Sequence, residues 1–213
     1  MGEIDWAAEF RTVISCAQCD VVTCQNMLRD EGGNVPQPGY IGASYFGKRV
    51  FLVGQNPGIS TKLFANEDRS YTQALRNVRD QSVVDSWQVL QETLQRFVPQ
   101  WPVSGKYFPL VECDLTYDEI AYCNLVRCRT IGNAAPTMSM ISNCGRVHFT
   151  HWLDMLKPKA VVFIGKWAMA NGANYVKQRC IPFDYIDRNR SLNKEKILEN
   201  RRRVATFVKN VTS

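Results

Sequence analysis

The chain has 213 residues, 45% of them apolar, with 26 Lys and Arg against 20 Asp and Glu and a net charge of +6. That length and composition suit one globular α/β domain over residues 1–213 and exclude a disordered or fibrous chain. No apolar run is long enough to cross a bilayer. The start, MGEIDWAAEF, lacks the basic and apolar stretches of a signal peptide. The expectation is a cytoplasmic monomer with no membrane partner.

In chain order, Asp5–Cys16 has helical spacing, with Trp6, Phe10, Val13 and Ile14 on one side. Residues 31–47 are rich in Gly and Pro and read as loop. Arg49–Gly54 is a short apolar run ending in Gly, the pattern of a buried parallel strand. Val83–Val98 reads as an amphipathic helix with Val84, Trp87, Leu90, Leu94 and Phe97 in register. Glu119–Val126 is a second strand. Pro136–Leu156 is mostly helix, stopped by Pro158. Ala160–Gly165 is a third strand, followed by a helix, and Phe183–Ile186 a short fourth. Asn193–Asn210 closes the chain as a helix with Ile197, Val204, Ala205 and Val208 inward. Strands alternating with helices predict an α/β fold, a three-layer α/β/α sandwich around a mainly parallel four-stranded sheet. Ligands of such sheets bind beyond the carboxyl ends of the strands. The segments after Gly54, Asn124, Gly165 and Asp187 are therefore the places to look.

Charge is concentrated late. Arg188, Arg190, Lys194, Lys196, Arg201, Arg202 and Arg203 face only Glu195 and Glu199 in the same stretch. This suits a nucleic-acid partner, and equally a solvated helix face.

Eight cysteines without a signal peptide argue against a disulfide framework. Cys16 and Cys19 form a C-x-x-C pair, which draws two thiolates from one turn of backbone. Cys128 and Cys144 are sixteen positions apart (144 − 128). Four thiolates satisfy a tetrahedral zinc or a [4Fe–4S] cluster, and spacing does not separate the two. Cys24, Cys113, Cys123 and Cys180 are assigned to core or surface.

Gly54-Gln55-Asn56-Pro57-Gly58 directly follows the first strand. Two glycines and a proline permit a tight turn that brings backbone close to a ligand. The Gln55 and Asn56 amides can each read a base edge or hold a water, but neither is a strong general base.

Taken together, these segments resemble the uracil-DNA glycosylase superfamily, nearest its iron–sulfur branch, often called family four. The resemblance rests on order: the early C-x-x-C at Cys16 and Cys19, the G-x-x-P-G loop at Gly54–Gly58, and Asn124-Leu125-Val126-Arg127-Cys128-Arg129, similar to an N-V-V-K-C-R segment. A helix carrying Cys144 then leads into Lys157-Pro158-Lys159-Ala160-Val161-Val162-Phe163-Ile164-Gly165, similar to P-K-x-I-V-x-L-G. It covers residues 12–170.

The resemblance implies a [4Fe–4S] cluster on Cys16, Cys19, Cys128 and Cys144. It implies a monofunctional DNA repair glycosylase that flips a uracil, or another deaminated base, out of DNA and hydrolyses its N-glycosidic bond with water. Asn124 matches the asparagine that reads the uracil edge, with Gly54 beside it. Asn56 matches the water-orienting position, and Gln55 lies next to it. Phe64 or Tyr71 would stack on the flipped base, and Pro57 and Gly58 would approach the DNA.

Two departures stand out. The iron–sulfur branch usually carries G-E-A-P-G, whereas GQNPG looks like the mismatch-specific and single-strand-selective branches. The His-Pro-Ser segment expected after the last strand is also missing. Residues 185–193 read YIDRNRSLN, so Arg188, Arg190 and Ser191 are the candidates for gripping DNA and stabilising the leaving base there. His148 and His151, on the preceding helix, read as packing or surface residues. Without that second-motif His, a non-catalytic damage- or abasic-site-binding protein is the alternative. A zinc-stabilised enzyme acting on a nucleotide is a third reading.

Overall fold

A computed structural model of the chain describes residues 4–28, 35–58, 65–101, 107–188 and 192–213. Its helices, in chain order, are α1 (Trp6–Ile14), α2 (Tyr45–Lys48), α3 (Ala65–Asp80), α4 (Ser86–Phe97), α5 (Met138–Cys144), α6 (Thr150–Leu156), α7 (Lys166–Lys177) and α8 (Lys194–Thr212). Its strands are β1 (Tyr40–Ile41), β2 (Val50–Gly54), β3 (Ile120–Asn124), β4 (Ala160–Ile164) and β5 (Phe183–Ile186). Among the described residues no helix is long and apolar enough to cross a membrane.

Contacts divide the chain into two compact units. One comprises Met1–Pro38, Asn56–Phe97 and Val126–Asn143, the other Gly39–Gln55, Val98–Leu125 and Cys144–Ser213.

The second unit holds the whole sheet, in the order β1-β3-β2-β4-β5. β3, β2, β4 and β5 run parallel, and β1 is an antiparallel edge on β3. Every residue of β2 and β4 is buried, which is why those strands read as unbroken apolar runs. Strand side chains alternate between faces. Val50, Leu52, Ile120, Val162, Ile164 and Ile186 form one core with Val204, Ala205 and Val208 of α8. On the opposite face, Phe51 meets the rings of Phe149 and Trp152, and Gly172 of α7 lies against Phe163. A Cβ at Gly172 would stand 2.5 Å from that ring, so the small residue permits the close approach of helix and strand. The unit is a three-layer α/β/α arrangement, as expected.

The first unit is helical. In α1, Phe10, Val13 and Ile14 are buried, and the Phe10 ring meets Trp87 of α4 edge-on at 5.1 Å. Leu90, Leu94 and Phe97 form the buried stripe of α4. Asp5 caps α1 by accepting from the Ala8 N–H at 3.0 Å. Arg129 and Asp68 form an ion pair, and the fully buried Arg127 donates to the Pro38 carbonyl at 2.5 Å.

Several sequence expectations need correction. Among the described residues the sheet has five strands, because Tyr40–Ile41, inside the stretch read as loop, pairs with Tyr122 and Ala121. That stretch also ends in α2. Two residues carry no alternation, so their pairing is set by the β3 edge. The helix expected from Val83 begins at Ser86, and Val84 is 86% exposed. Ile197 is exposed, so the inward face of α8 starts at Val204. The helix expected over Pro136–Leu156 is present from Met138 to Leu156, widened to a π turn at Gly145–Phe149.

Candidate functional site

The carboxyl ends of the parallel strands carry four of the residues that sequence singled out. Gly54 ends β2 in register with Asn124, which ends β3. The Leu125 N–H donates to the Gly54 carbonyl at 2.8 Å and extends the ladder past the strand end. Asn124 is buried, and its Oδ1 accepts from the Tyr122 hydroxyl at 2.8 Å. Tyr122 stands two residues before Asn124, so both project from one face of β3. Its ring meets Trp101 edge-on at 5.8 Å. Gly54 projects to that same face. A Cβ there would lie 2.7 Å from the Tyr122 hydroxyl and closer still to Asn124 Oδ1. The missing side chain is the space in which this hydrogen bond forms.

The next two strand ends are charged. Gly165, at φ +100°, turns the chain from β4 into α7, a conformation that favours glycine. Lys166 Nζ then lies 3.1 Å from Asp187 Oδ2, just beyond β5. The Asp187 hydrogen bond and charge hold the Lys166 ammonium above its ordinary pKa. Arg188 follows, with its guanidinium carbon 4.2 Å from the centre of the Tyr107 ring. A cation stacked on an aromatic face gains a fixed orientation. Arg190, Ser191 and Phe64 lie outside the described residues.

In the second unit, Gln55 is half-buried at the bend after β2. The rest of the loop belongs to the first unit, where Pro57 is buried and Gly58 exposed. Asn56 Nδ2 donates to Thr130 Oγ1 at 3.2 Å and to the Pro57 carbonyl at 3.3 Å. The Thr130 hydroxyl in turn donates to the Ala134 carbonyl at 2.6 Å, and Thr130 is fully buried. With its N–H groups so engaged, the Asn56 amide offers its oxygen as an acceptor, the end that holds a water by its O–H. Tyr71 is 4% exposed within α3.

The cysteines divide by burial. Cys16 and Cys19 are half-buried, while Cys128 and Cys144 are buried. The C-x-x-C loop is tied down within its own unit. Asp20 accepts from the Val22 and Thr23 N–H groups at 2.8 and 2.7 Å, and Thr137 Oγ1 donates to the Thr23 carbonyl at 3.2 Å. Asn143 Nδ2 donates to the Gln18 carbonyl at 3.0 Å and lies 4.0 Å from Cys19 Sγ. Four thiols are the right kind of donor for iron–sulfur or zinc. Among the described residues, however, no three His, Cys, Asp or Glu side chains form a group that could hold a metal ion.

The basic segment is partly spent on structure. Arg201 pairs with Glu112 at 2.7 Å, and Arg203 pairs with Asp184, fastening α8 to the sheet unit. Lys194, Leu198, Arg202 and Thr206 line an open groove of about 770 Å³ along α8.

Sequence reasoning missed two residues, Tyr122 and Thr130. Tyr122 was findable, since a two-residue offset on a strand puts it beside Asn124. Thr130 had no local signal, because its partner Asn56 is 74 positions away.

The chain matches the family model described as the uracil DNA glycosylase superfamily over residues 43–206. No curated protein matches it.

Proposed function

The chain belongs to the uracil DNA glycosylase superfamily, and from that premise we propose that it is a monofunctional glycosylase hydrolysing the N-glycosidic bond of uracil, and of other deaminated bases, in DNA. The observation that carries this reading is the pair of asparagine amides, each held by a hydroxyl in a different sense. Asn124 accepts from Tyr122, so its N–H₂ end serves as donor to a base oxygen. Asn56 donates to Thr130, so its oxygen serves as acceptor to a water. One amide suits the leaving base and the other the nucleophile.

The reaction needs little more from side chains. The target base must leave the stack before its glycosidic bond can be reached. As that bond breaks, positive charge grows on the sugar and negative charge on the departing base. Preorganised donors at the developing anion lower the barrier. Asn124 is one donor. Arg188, a fixed cation beyond β5, takes the role left by the missing second-motif His. Water oriented by Asn56, with Gln55 beside it, then adds to the sugar carbon, and the proton it loses passes to the departed base anion, which leaves as the neutral free base. No lysine is placed for attack by the first motif, so no covalent Schiff base forms.

In this reading Cys16, Cys19, Cys128 and Cys144 would hold a [4Fe–4S] cluster, which is supported by their order around the motifs in the sequence rather than by their grouping in the fold. The cluster would act as a structural tie across distant parts of the chain. In this reading residues 1–213 are one functional domain, acting as a monomer on DNA. Loss of the second-motif His favours a second reading, recognition of damaged or abasic DNA without turnover.

A panel of oligonucleotides bearing uracil, hypoxanthine, xanthine or mismatched thymine, single- and double-stranded, tests the proposal. Release of free uracil supports it. Tight binding without release of any base supports the second reading.

A further inference from the structure

Arg179, Arg201 and Arg203 of the sheet unit each pair with a carboxylate, on Asp154, Glu112 and Asp184. Arg188 is held differently. Its guanidinium carbon lies 4.2 Å from the centre of the Tyr107 ring, and among the described residues it makes no ion pair or hydrogen bond. Its stem is steadied as well. A Cβ at Gly165 would stand 3.6 Å from Arg188 Cδ and 3.9 Å from Cγ, so the methylenes pass over the bare backbone at the turn from β4 into α7. A carboxylate partner would neutralise the charge and take up donors. A ring face orients the group and accepts none of its N–H bonds, so charge and donors both remain for an anion.

The placement suits the strand ends. Ile186 of β5 lies in the core beneath α8, and Arg188, two residues on, continues that alternation. This is the face on which Ile120, Tyr122 and Asn124 follow one another along β3. Tyr107 packs against the same core, in agreement with this.

We infer that Tyr107 is a positioning residue that holds Arg188 as an uncompensated cation for the anion of the departing base. This inference rests on the glycosylase reading above. Such a cation lowers the barrier only as charge develops, so its benefit is greatest for a base that carries the charge poorly. Uracil depends on it more than 5-fluorouracil, whose fluorine withdraws electrons and stabilises the anion. A DNA phosphate is charged before reaction, and a contact to it would aid both substrates alike.

Single-turnover release of uracil and 5-fluorouracil from otherwise identical double-stranded oligonucleotides tests this, with urea titration to check that each variant is folded. Tyr107→Leu is expected to slow uracil release about threefold to thirtyfold. It is expected to slow 5-fluorouracil release less, and to leave the affinity for uracil-DNA nearly unchanged. Tyr107→Met takes its place if Tyr107→Leu does not fold. Tyr107→Phe, which keeps the ring face, is expected to recover most of the loss. In an Arg188→Ala background, which lacks only an exposed side chain, Tyr107→Leu is expected to change nothing further. Equal losses for the two bases with weaker DNA binding overturn the inference and assign the pair to a phosphate. An equal loss with and without Arg188 overturns it too, and marks Tyr107 as a core residue alone. So does a Tyr107→Phe protein as slow as Tyr107→Leu, which puts the effect in the hydroxyl. If the unsubstituted protein releases neither base, the glycosylase reading fails first and takes this inference with it.

Discussion

Substituting Gly54 by alanine perturbs the smallest feature on which the site geometry depends. The added Cβ would stand 2.7 Å from the Tyr122 hydroxyl and closer to Asn124 Oδ1, inside any ordinary contact distance. β2 has little freedom to recoil, since it is buried throughout and paired with β3 on one side and β4 on the other. The side chains must therefore give way, and the Tyr122–Asn124 hydrogen bond is lost. Overpacking costs about 1–3 kcal/mol, and a neutral hydrogen bond contributes about 0.5–1.5 kcal/mol. The sum is about 2–4 kcal/mol. At a urea dependence of about 2 kcal/mol per molar, the unfolding midpoint falls by about 1–2 M. Gly47→Ala is the control. Nothing lies within 4 Å of its added Cβ, and it sits inside α2, so the midpoint holds or rises slightly. Base release by Gly54→Ala should also drop further than its folded fraction explains, because the Asn124 amide is displaced. A Gly54→Ala protein with unchanged midpoint and unchanged activity refutes this reasoning.

Asn56→Ala and Asn124→Ala should each slow base release by about a hundredfold to a thousandfold, read in single-turnover assays, with little change in melting temperature. The acid limb of stability should respond to Arg179, which holds Asp154 through two bonds of 2.6 and 2.7 Å. The Arg179 hydrogen bond lowers the Asp154 pKa below its ordinary 3.8. Its contribution is therefore present at neutral pH and lost as pH falls through the lowered folded value. Arg179→Ala should lower the urea midpoint slightly at neutral pH, and the gap should close in strong acid. Protein purified without oxygen should be brown and carry about four iron and four sulfide per chain, with Cys144→Ala losing both. Zinc in place of iron would support the zinc-stabilised reading instead.

The sheet was legible because burial on both faces forces unbroken apolar runs, as in Val50–Val53 and Ala160–Ile164. The edge strand Tyr40–Ile41 was not, because two residues define no period and their partners, Tyr122 and Ala121, are 82 and 80 positions away in the chain. The π turn at Gly145–Phe149 was hidden by a helical pattern on either side. A Cβ at Gly145 would run into the Tyr175 ring, a contact that no local pattern announces. In the site, Asn56 and Asn124 were visible as motif residues. What sequence did not reveal was which end of each amide is engaged. That depends on Thr130 and Tyr122, and for Thr130 the contact is entirely tertiary. The cysteines show the reverse case: their order in the sequence carries more than their placement in the fold.

The central claim is that the chain cuts the N-glycosidic bond of a deaminated base in DNA. Chromatographic quantitation of free uracil, with the abasic product measured on the same uracil-bearing oligonucleotide, tests it most directly. The account predicts equal amounts of free uracil and abasic DNA, with no borohydride-trapped adduct. Folded protein that binds the oligonucleotide and releases no uracil would contradict it.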